Sequence, residues 1–486
     1  MADMTLKKKP MDRDGFLKEM QKMEVRRQQA ASDPIRLCYH LHPPVGWIND
    51  PNGLCQKDGI YHIYHQYVPF YPELCSVLWG HVTTRDFIHY EIQEPANFPD
   101  TKWDENGAYS GSAFVKDDTM YVYYTGNVRH ADKEYDYITG GREQNTILMT
   151  SKDGFHFSNK RLLMKNTDYP SDLSLHVRDP QVFCEQGQYF MIQGARDLQD
   201  TGSVLLFESS NLTDWTYRLR FETKEPFGYM WECPNYLKMD GRQFLIACPQ
   251  KMRKKENGLV KENLCGYFPL AYDFKGSEYD VGEFFTLDRG FDFYAPQVFQ
   301  DESGRWILLG WMSTPDADYD CGVTVKNGWV HALTIPRELY VNQNGRLCQR
   351  PLKEFRQMRD DGTVKTLETG AEFCTDVSPC FEWKLTMDDP TEAFTLLLRE
   401  SAVLSYQEGV LSLDLTGCGA GRTVRSICLP EVRDLWIFSD TSSLEIFANG
   451  GEETFTSRIY DSMEHLQVTL KAGKGRKQIE LYGLHT

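Results

Sequence analysis

Five short segments of this chain share one shape: Asn49-Asp-Pro-Asn-Gly-Leu54, Tyr109-Ser-Gly-Ser-Ala-Phe114, Arg178-Asp-Pro-Gln-Val-Phe183, Trp231-Glu-Cys-Pro-Asn-Tyr236 and Tyr294-Ala-Pro-Gln-Val-Phe299. Aligned, their second positions are Asp50, Ser110, Asp179, Glu232 and Ala295, and a strand-like stretch begins near Tyr61, Tyr121, Tyr189, Phe244 and Trp306 in turn. Self-similarity at a nearly fixed period marks a radially repeated fold, and a unit of short strands broken by Gly and Pro reads as a four-stranded propeller blade. Segments such as Arg85-Asp-Phe-Ile-His-Tyr90, Asp153-Gly-Phe-His-Phe157 and Thr213-Asp-Trp-Thr-Tyr217 are read as outer strands. The prediction is an all-β chain whose residues 36–342 form a five-bladed β-propeller.

The flanks read differently. Residues 11–31 place Phe16, Leu17, Met20 and Met23 at helical spacing among charges. This predicts one amphipathic helix in an N-terminal arm, residues 1–35, that covers the main body or serves a homo-oligomer. Beyond Asn344-Gly, a helix-tolerant stretch at Pro351 to Asp361 leads into alternating strands such as Leu411-Ser-Leu-Asp-Leu415 and Ser443-Leu-Glu-Ile-Phe447. Residues 343–486 are therefore read as a linker and a β-sandwich. Gly417-Cys-Gly-Ala-Gly421 imitates a dinucleotide loop, but no helix follows it, so it is read as a turn.

Charge narrows the partner. With 53 Lys and Arg against 70 Asp and Glu, the net charge is −17, which repels nucleic acid and anionic membranes. No apolar run approaches the roughly 20 residues that cross a bilayer. The expected partner is a small neutral molecule. The 13 cysteines are odd in number and form no Cys-x-x-Cys pair, so they are read as free thiols of a cytoplasmic protein without zinc, and the N-terminus is not a secretory signal. The chain also lacks the acidic loop of a calcium site, and no metal or cofactor is expected.

Equivalent positions of a propeller ring one end of its channel, and three of the five here are carboxylates: Asp50, Asp179 and Glu232. Like charges crowded at one mouth oppose folding and raise a pKa, which points to catalysis. Two such groups suit retaining glycoside cleavage, one as nucleophile and one as acid/base, with the third holding ring hydroxyls. Trp47, Trp79, Trp231 and Trp311 lie on or near the repeats, as a sugar site requires, although a Trp between blades is also ordinary core.

Trp47-Ile-Asn-Asp-Pro-Asn-Gly53, Arg178-Asp-Pro180 and Trp231-Glu-Cys-Pro234 resemble the signature motifs of glycoside hydrolase family 32, the invertase and sucrose-6-phosphate hydrolase family. The likeness extends to Gln66, Trp79-Gly-His81, the Ser-Gly-Ser-Ala stretch from Ser110, Phe291-Asp-Phe-Tyr-Ala295 and Ser443-Leu-Glu-Ile-Phe-Ala-Asn-Gly450. It implies a five-bladed propeller plus sandwich, with Asp50 as nucleophile on C2 of a terminal β-fructofuranosyl unit and Glu232 as acid/base. Asp179 with Arg178 would clamp the fructose hydroxyls, Asn49, Gln66, Trp79, Tyr109 and Ser110 would line the fructose subsite, and Trp47 and Trp311 would form an aromatic wall. Arg178 is expected to keep Asp179 ionised while Asp50 and Asp179 raise the pKa of Glu232. Asn235 stands where the family commonly carries an acid, and the Tyr71 to Leu78 loop is idiosyncratic; both bear on leaving-group preference. Lys251-Met-Arg-Lys-Lys255 is read as a solvated loop, with a 6-phosphate on the leaving glucose as the alternative. A fructosyltransferase, a related propeller acting on arabinose or xylose polymers, and a non-catalytic carbohydrate-binding propeller are the competing readings.

Overall fold

The computed structural model describes residues 11–485 except 73–75, 252–254, 257–258, 261–262, 368–371 and 474. The chain is mostly β with few helices. Besides a two-stranded hairpin, its N-terminal part holds five larger sheets, antiparallel except where Gly46–Lys57 also pairs in parallel with Trp329–Val330, and each opens on a strand that carries one copy of the repeat: Gly46–Lys57, Ala108–Lys116, Leu173–Glu185, Trp231–Met239 and Tyr294–Gln300. The second strands, Ile60–Val68, Thr119–Arg129, Gln188–Asp197, Arg242–Pro249 and Trp306–Trp311, start within two residues of the positions read from sequence. The opening strands pack side by side in chain order, and the first also packs on the last. Arg337–Val341 pairs with Leu347–Pro351, so the fifth sheet continues past residue 342.

The segments read as outer strands are largely the turns before them. Asp86 Oδ1 accepts from the backbone of Ile88 and His89, Asp153 Oδ1 from Phe155 and His156, and Asn211 Oδ1 from Thr213 and Asp214. A hydroxyl two residues earlier, on Thr84, Ser151 or Ser209, caps the same turn. Asx and Ser side chains satisfy the local amides there and end strand pairing. The outer strands follow as Tyr90–Ile92, Arg161–Met164 and Thr216–Phe221.

The arm contains two helices, Arg13–Gln21 and Glu24–Ala31, instead of one. Asp12 caps the first through the Gly15 amide. The break lets each helix serve a different surface: Phe16 and Met20 bury against Tyr67, Phe70, Leu78 and Phe98, while Ala30 packs with Leu37, Met312, Trp329 and Ala332. Among the described residues no helix is long and apolar enough to cross a membrane.

The C-terminal part is two six-stranded sheets around one shared core that includes Trp383, Leu396, Leu404, Ile437 and Phe455, a β-sandwich. A short 3-10 helix, Lys353–Met358, occupies the helix-tolerant stretch and buries Phe355 and Met358. A further core cluster joins Ile48, Ile307 and Leu333 to Phe438, Phe447 and Leu484, so the two parts are cemented together. A chain of buried ions crosses the same junction. Arg337 donates to Gln349 (2.8 Å), Glu445 (2.5 Å), Asp288 (3.2 Å) and Thr456. Glu445 meets His40 Nε2 at 2.9 Å, and His40 Nδ1 meets Asp440 at 2.7 Å.

Burial alone would lower the His40 pKa, but a carboxylate at each ring nitrogen lifts it to about 9. Its folded value lies above the roughly 6.5 of an unfolded histidine, so its stabilisation is complete below about pH 6.5 and is lost as pH rises through 9. The melting temperature of the wild type is expected to fall across that window more than that of His40→Gln. Parallel curves would exclude this ion pair as the source.

Candidate active site

Each opening strand breaks register at its motif: between Ile48 and Pro51, Ala108 and Gly111, Arg178 and Gln181, Glu232 and Asn235, and Tyr294 and Gln297. A bulge leaves a residue out of the ladder and re-aims its side chain, and it tolerates the missing N–H of Pro51, Pro180, Pro234 and Pro296. Left-handed backbone at Asp179 (φ 63°), Cys233 (φ 49°) and Ala295 (φ 44°) marks the same bends, strain of a kind that collects at working sites. All five motifs line one narrow cavity of about 10 Å³. The five bends thus meet at one place.

Two hydrogen-bond chains end on Asp50. Trp47 Nε1 donates to Asn49 Oδ1 (3.2 Å), and Asn49 Nδ2 donates to Asp50 Oδ1 (3.0 Å) and Gln66 Oε1 (2.5 Å). Gln66 Nε2 donates to Ser110 Oγ (2.8 Å), whose own proton therefore goes to Asp50 Oδ2 (2.5 Å). Burial pushes the Asp50 carboxyl up, and Ser110 and Asn49 pull against it by favouring the anion.

Asp179 and Glu232 share a cation unequally. Arg178 Nη2 donates to Glu232 Oε1, whereas its Nε is 3.8 Å from Asp179 Oδ2. Asp179 accepts instead from the Cys233 amide (2.9 Å). Burial, with the charges of Glu232 and Asp50, lifts the Asp179 carboxyl to about 7 against the pull of Arg178. Arg178 favours the Asp179 anion as expected, but burial outweighs that pull, and the guanidinium's direct hydrogen bond goes to Glu232. The Cys233 thiol, 3.8 Å from Asp50 and 3.7 Å from Asp179, is driven well up by burial and those charges and stays protonated.

Several groups around Glu232 were missed in the sequence. Tyr294 Oη donates to Glu232 Oε2 at 2.8 Å and Gln250 Nε2 at 2.5 Å. Tyr294 holds the first position of the fifth repeat, a signal that was available; Gln250, at the end of a second strand, offered none. His176 Nδ1 accepts from Arg178 Nη1 (2.6 Å), so its proton lies on Nε2 and goes to the Tyr137 carbonyl (2.6 Å). This orients the guanidinium.

The aromatic residues divide. Trp47 and Trp311 stand 6.1 Å apart around His331, and Trp47 meets Tyr71 at 5.0 Å. Trp79 is only 1% exposed and donates to the Tyr109 carbonyl at 3.0 Å, so it supports the site from the core instead of lining it. Trp231 is fully buried against Phe268. Asn235 donates to the Cys233 and Pro296 carbonyls and accepts from the Val298 amide. A carboxylate could not donate to those two carbonyls, which accounts for an amide at this position. Of the Lys251 to Lys255 run, residues 252–254 lie outside the described residues, as do 73–75 of the Tyr71 to Leu78 loop.

The family model for the glycosyl hydrolases family 32 N-terminal domain matches residues 40–351, and that for the family 32 C-terminal domain matches residues 366–484. The chain belongs to glycosyl hydrolase family 32. This family 32 enzyme is 35% identical to the sucrose-6-phosphate hydrolase of Bacillus subtilis over 478 residues, 96% of this chain and 97% of the relative. It is 34% identical to the raffinose invertase of Escherichia coli, covering 90% and 92%. Among solved structures it resembles the sucrose-6-phosphate hydrolase of Lactobacillus gasseri with a TM-score of 0.84, 27% identity and 96% of each chain covered. The Bombyx mori family 32 β-fructofuranosidase gives 0.83, 26% identity and coverage of 98% and 99%. These neighbours imply an N-terminal propeller followed by the β-sandwich.

Proposed function

We propose that this family 32 hydrolase is a retaining β-fructofuranosidase that transfers the terminal fructosyl unit of sucrose, sucrose 6-phosphate or a short fructooligosaccharide to water. The observation that carries the reading is the convergence of Asp50, Asp179 and Glu232, from three different repeats, around Arg178 and Cys233. In the first displacement the Asp50 carboxylate attacks C2 while Glu232 gives its proton to the departing glycosidic oxygen, leaving a fructosyl ester on Asp50. In the second, Glu232 takes a proton from water as that water attacks C2 and frees Asp50. Asn49, Ser110 and Gln66 keep Asp50 anionic and aimed. Asp179 accepts from fructose hydroxyls, Arg178 holds the Glu232 carboxyl in place through Nη2, Tyr109 lines the subsite with Trp79 behind it, and Trp47 and Trp311 form its wall.

The Tyr294 hydroxyl sits between Glu232 (2.8 Å) and the Cys248 carbonyl (3.5 Å). By turning its proton to the carbonyl it can accept from protonated Glu232, which suits a group that must alternate between acid and base.

The supporting architecture is a five-bladed propeller, one blade per repeat, in the division 1–35 arm, 36–342 propeller and 343–486 linker and sandwich. The pairing that ends at Pro351 favours starting the linker after that residue. A cytoplasmic setting agrees with the twelve described cysteines all being free. The transferase and binding-protein readings are not favoured beside relatives named hydrolases and invertases.

Two inversions at C2 restore configuration, so fructose is expected to leave as the β-furanose before it mutarotates. Proton NMR on freshly formed product reads the anomer. Initial α-anomer would mean a single displacement and remove Asp50 from the nucleophile role.

A further inference from the structure

The chain is acidic overall, with a net charge of −17, and three carboxylates converge at the site, yet the flank of the site beside Glu232 is cationic. Arg142, Arg178 and Arg196 act together on His176, whose pKa falls to about 2 through burial and then their charges. Arg178 is committed to Glu232 and Asp179. Arg142 and Arg196 touch neither. Arg142 braces the rim by donating to the Tyr137 carbonyl (3.1 Å) and Asn127 Oδ1 (2.9 Å), and Tyr137 itself is 49% exposed.

Arg196, only 5% exposed, lies 4.1 Å over the Tyr229 ring, and Lys251 Nζ lies 5.1 Å from the same ring. Tyr229 precedes Glu232 by three residues and feels its charge together with those of Arg196 and Arg178. Asp200 takes Nε and Nη2 of Arg196 through one oxygen, which leaves Nη1 without an acceptor among the described residues. Lys251 forms no ion pair among them either. The other carboxylate that feels Arg196, Asp136, is exposed, as is Asp200 at 66%, so neither cancels this charge strongly.

Two cations held near one ring repel each other, and a neutral leaving sugar gives them nothing to offset that repulsion. An acid that protonates the departing oxygen has the leaving group beside it, and these cations share the ring of Tyr229, three residues before that acid, Arg196 from the strand Gln188–Asp197 and Lys251 from just past the strand Arg242–Pro249. We infer that Arg196 and Lys251, flanking Tyr229, form an anion-binding leaving-group subsite that selects a hexose carrying a phosphate monoester over its neutral counterpart. The inference rests on the β-fructofuranosidase reading. Arg196 supplies a directed donor, Lys251 a mobile point charge, and Tyr137 an exposed ring for the sugar.

The test is kcat/KM on sucrose 6-phosphate and on sucrose for wild type, Arg196→Gln, Lys251→Gln and the double variant. The ratio between the two substrates is expected to fall about tenfold in each single variant and on the order of a hundredfold in the double, as charge-assisted hydrogen bonds are lost. Arg196→Lys should keep most of the ratio. Calorimetric binding of glucose 6-phosphate gives a readout without turnover, and its affinity should drop in the double variant while that of glucose does not. Parallel losses on both substrates, an unchanged ratio, or equal glucose 6-phosphate affinity in wild type and double variant would each overturn the inference. A wild type that cleaves sucrose without preferring the phosphorylated substrate sinks this inference alone. A wild type that cleaves neither of these nor 1-kestose sinks the proposed function, and the calorimetry then decides the anion site by itself.

Discussion

Turnover of a β-fructofuranoside by Asp50→Ala is expected to fall on the order of 10⁵-fold, since loss of a covalent nucleophile removes the whole double displacement. Glu232→Ala should lose about 10² to 10⁴-fold, the usual worth of general acid/base help. The two losses should differ in kind. An aryl fructoside, whose departure needs little protonation, should recover the first step in Glu232→Ala and nothing in Asp50→Ala. The Asp50 carboxylate is destabilised by burial, which outweighs its hydrogen bonds from Ser110 and Asn49, so the variant should melt no lower than the wild type. Either variant retaining more than about a tenth of wild-type activity, against that 10²-fold floor, would refute its assigned role.

The second large effect is on stability. Arg337 is fully buried, and its guanidinium joins Asp288 and Gln349 of the N-terminal part to Glu445 and Thr456 of the sandwich. Arg337→Ala leaves two buried carboxylates short of their shared counter-charge, an imbalance that costs about 3–5 kcal/mol in comparable cases. Unfolding in urea should shift accordingly, with the sandwich and the N-terminal part losing their common transition. A change within about 1 kcal/mol, the scale of an exposed ion pair, would mean that the apolar cluster around Ile48, Phe438 and Phe447 holds the junction by itself.

The repeat was legible because its period is long and its punctuation chemical. Pro, Gly and Asp recur at each bend, and bends of this kind need residues that lack an N–H, tolerate positive φ or cap their own backbone. The same local logic misled in two places. Arg85 to Tyr90 and its counterparts look like strands by their aromatic residues, but Asp86, Asp153 and Asn211 bind the backbone two and three residues on and make turns. Residues 11–31 carry one continuous helical pattern, yet two separate core clusters pull the chain into two helices.

The sequence by itself determined the β-rich architecture, the sandwich and the three carboxylates, since each is written in spacing or in residue type within a few positions of itself. Only the tertiary structure decided which acid Arg178 faces, that Trp79 supports the site from behind, that Tyr294 and Gln250 reach Glu232, and that Arg196 and Lys251 share one ring. Those facts depend on side-chain directions at bulges and on contacts between residues far apart in the chain, such as the 54-residue separation of Arg178 and Glu232. Spacing along the chain fixes where a residue enters a sheet; the bend of the bulge and the packing of the next sheet fix what its side chain meets.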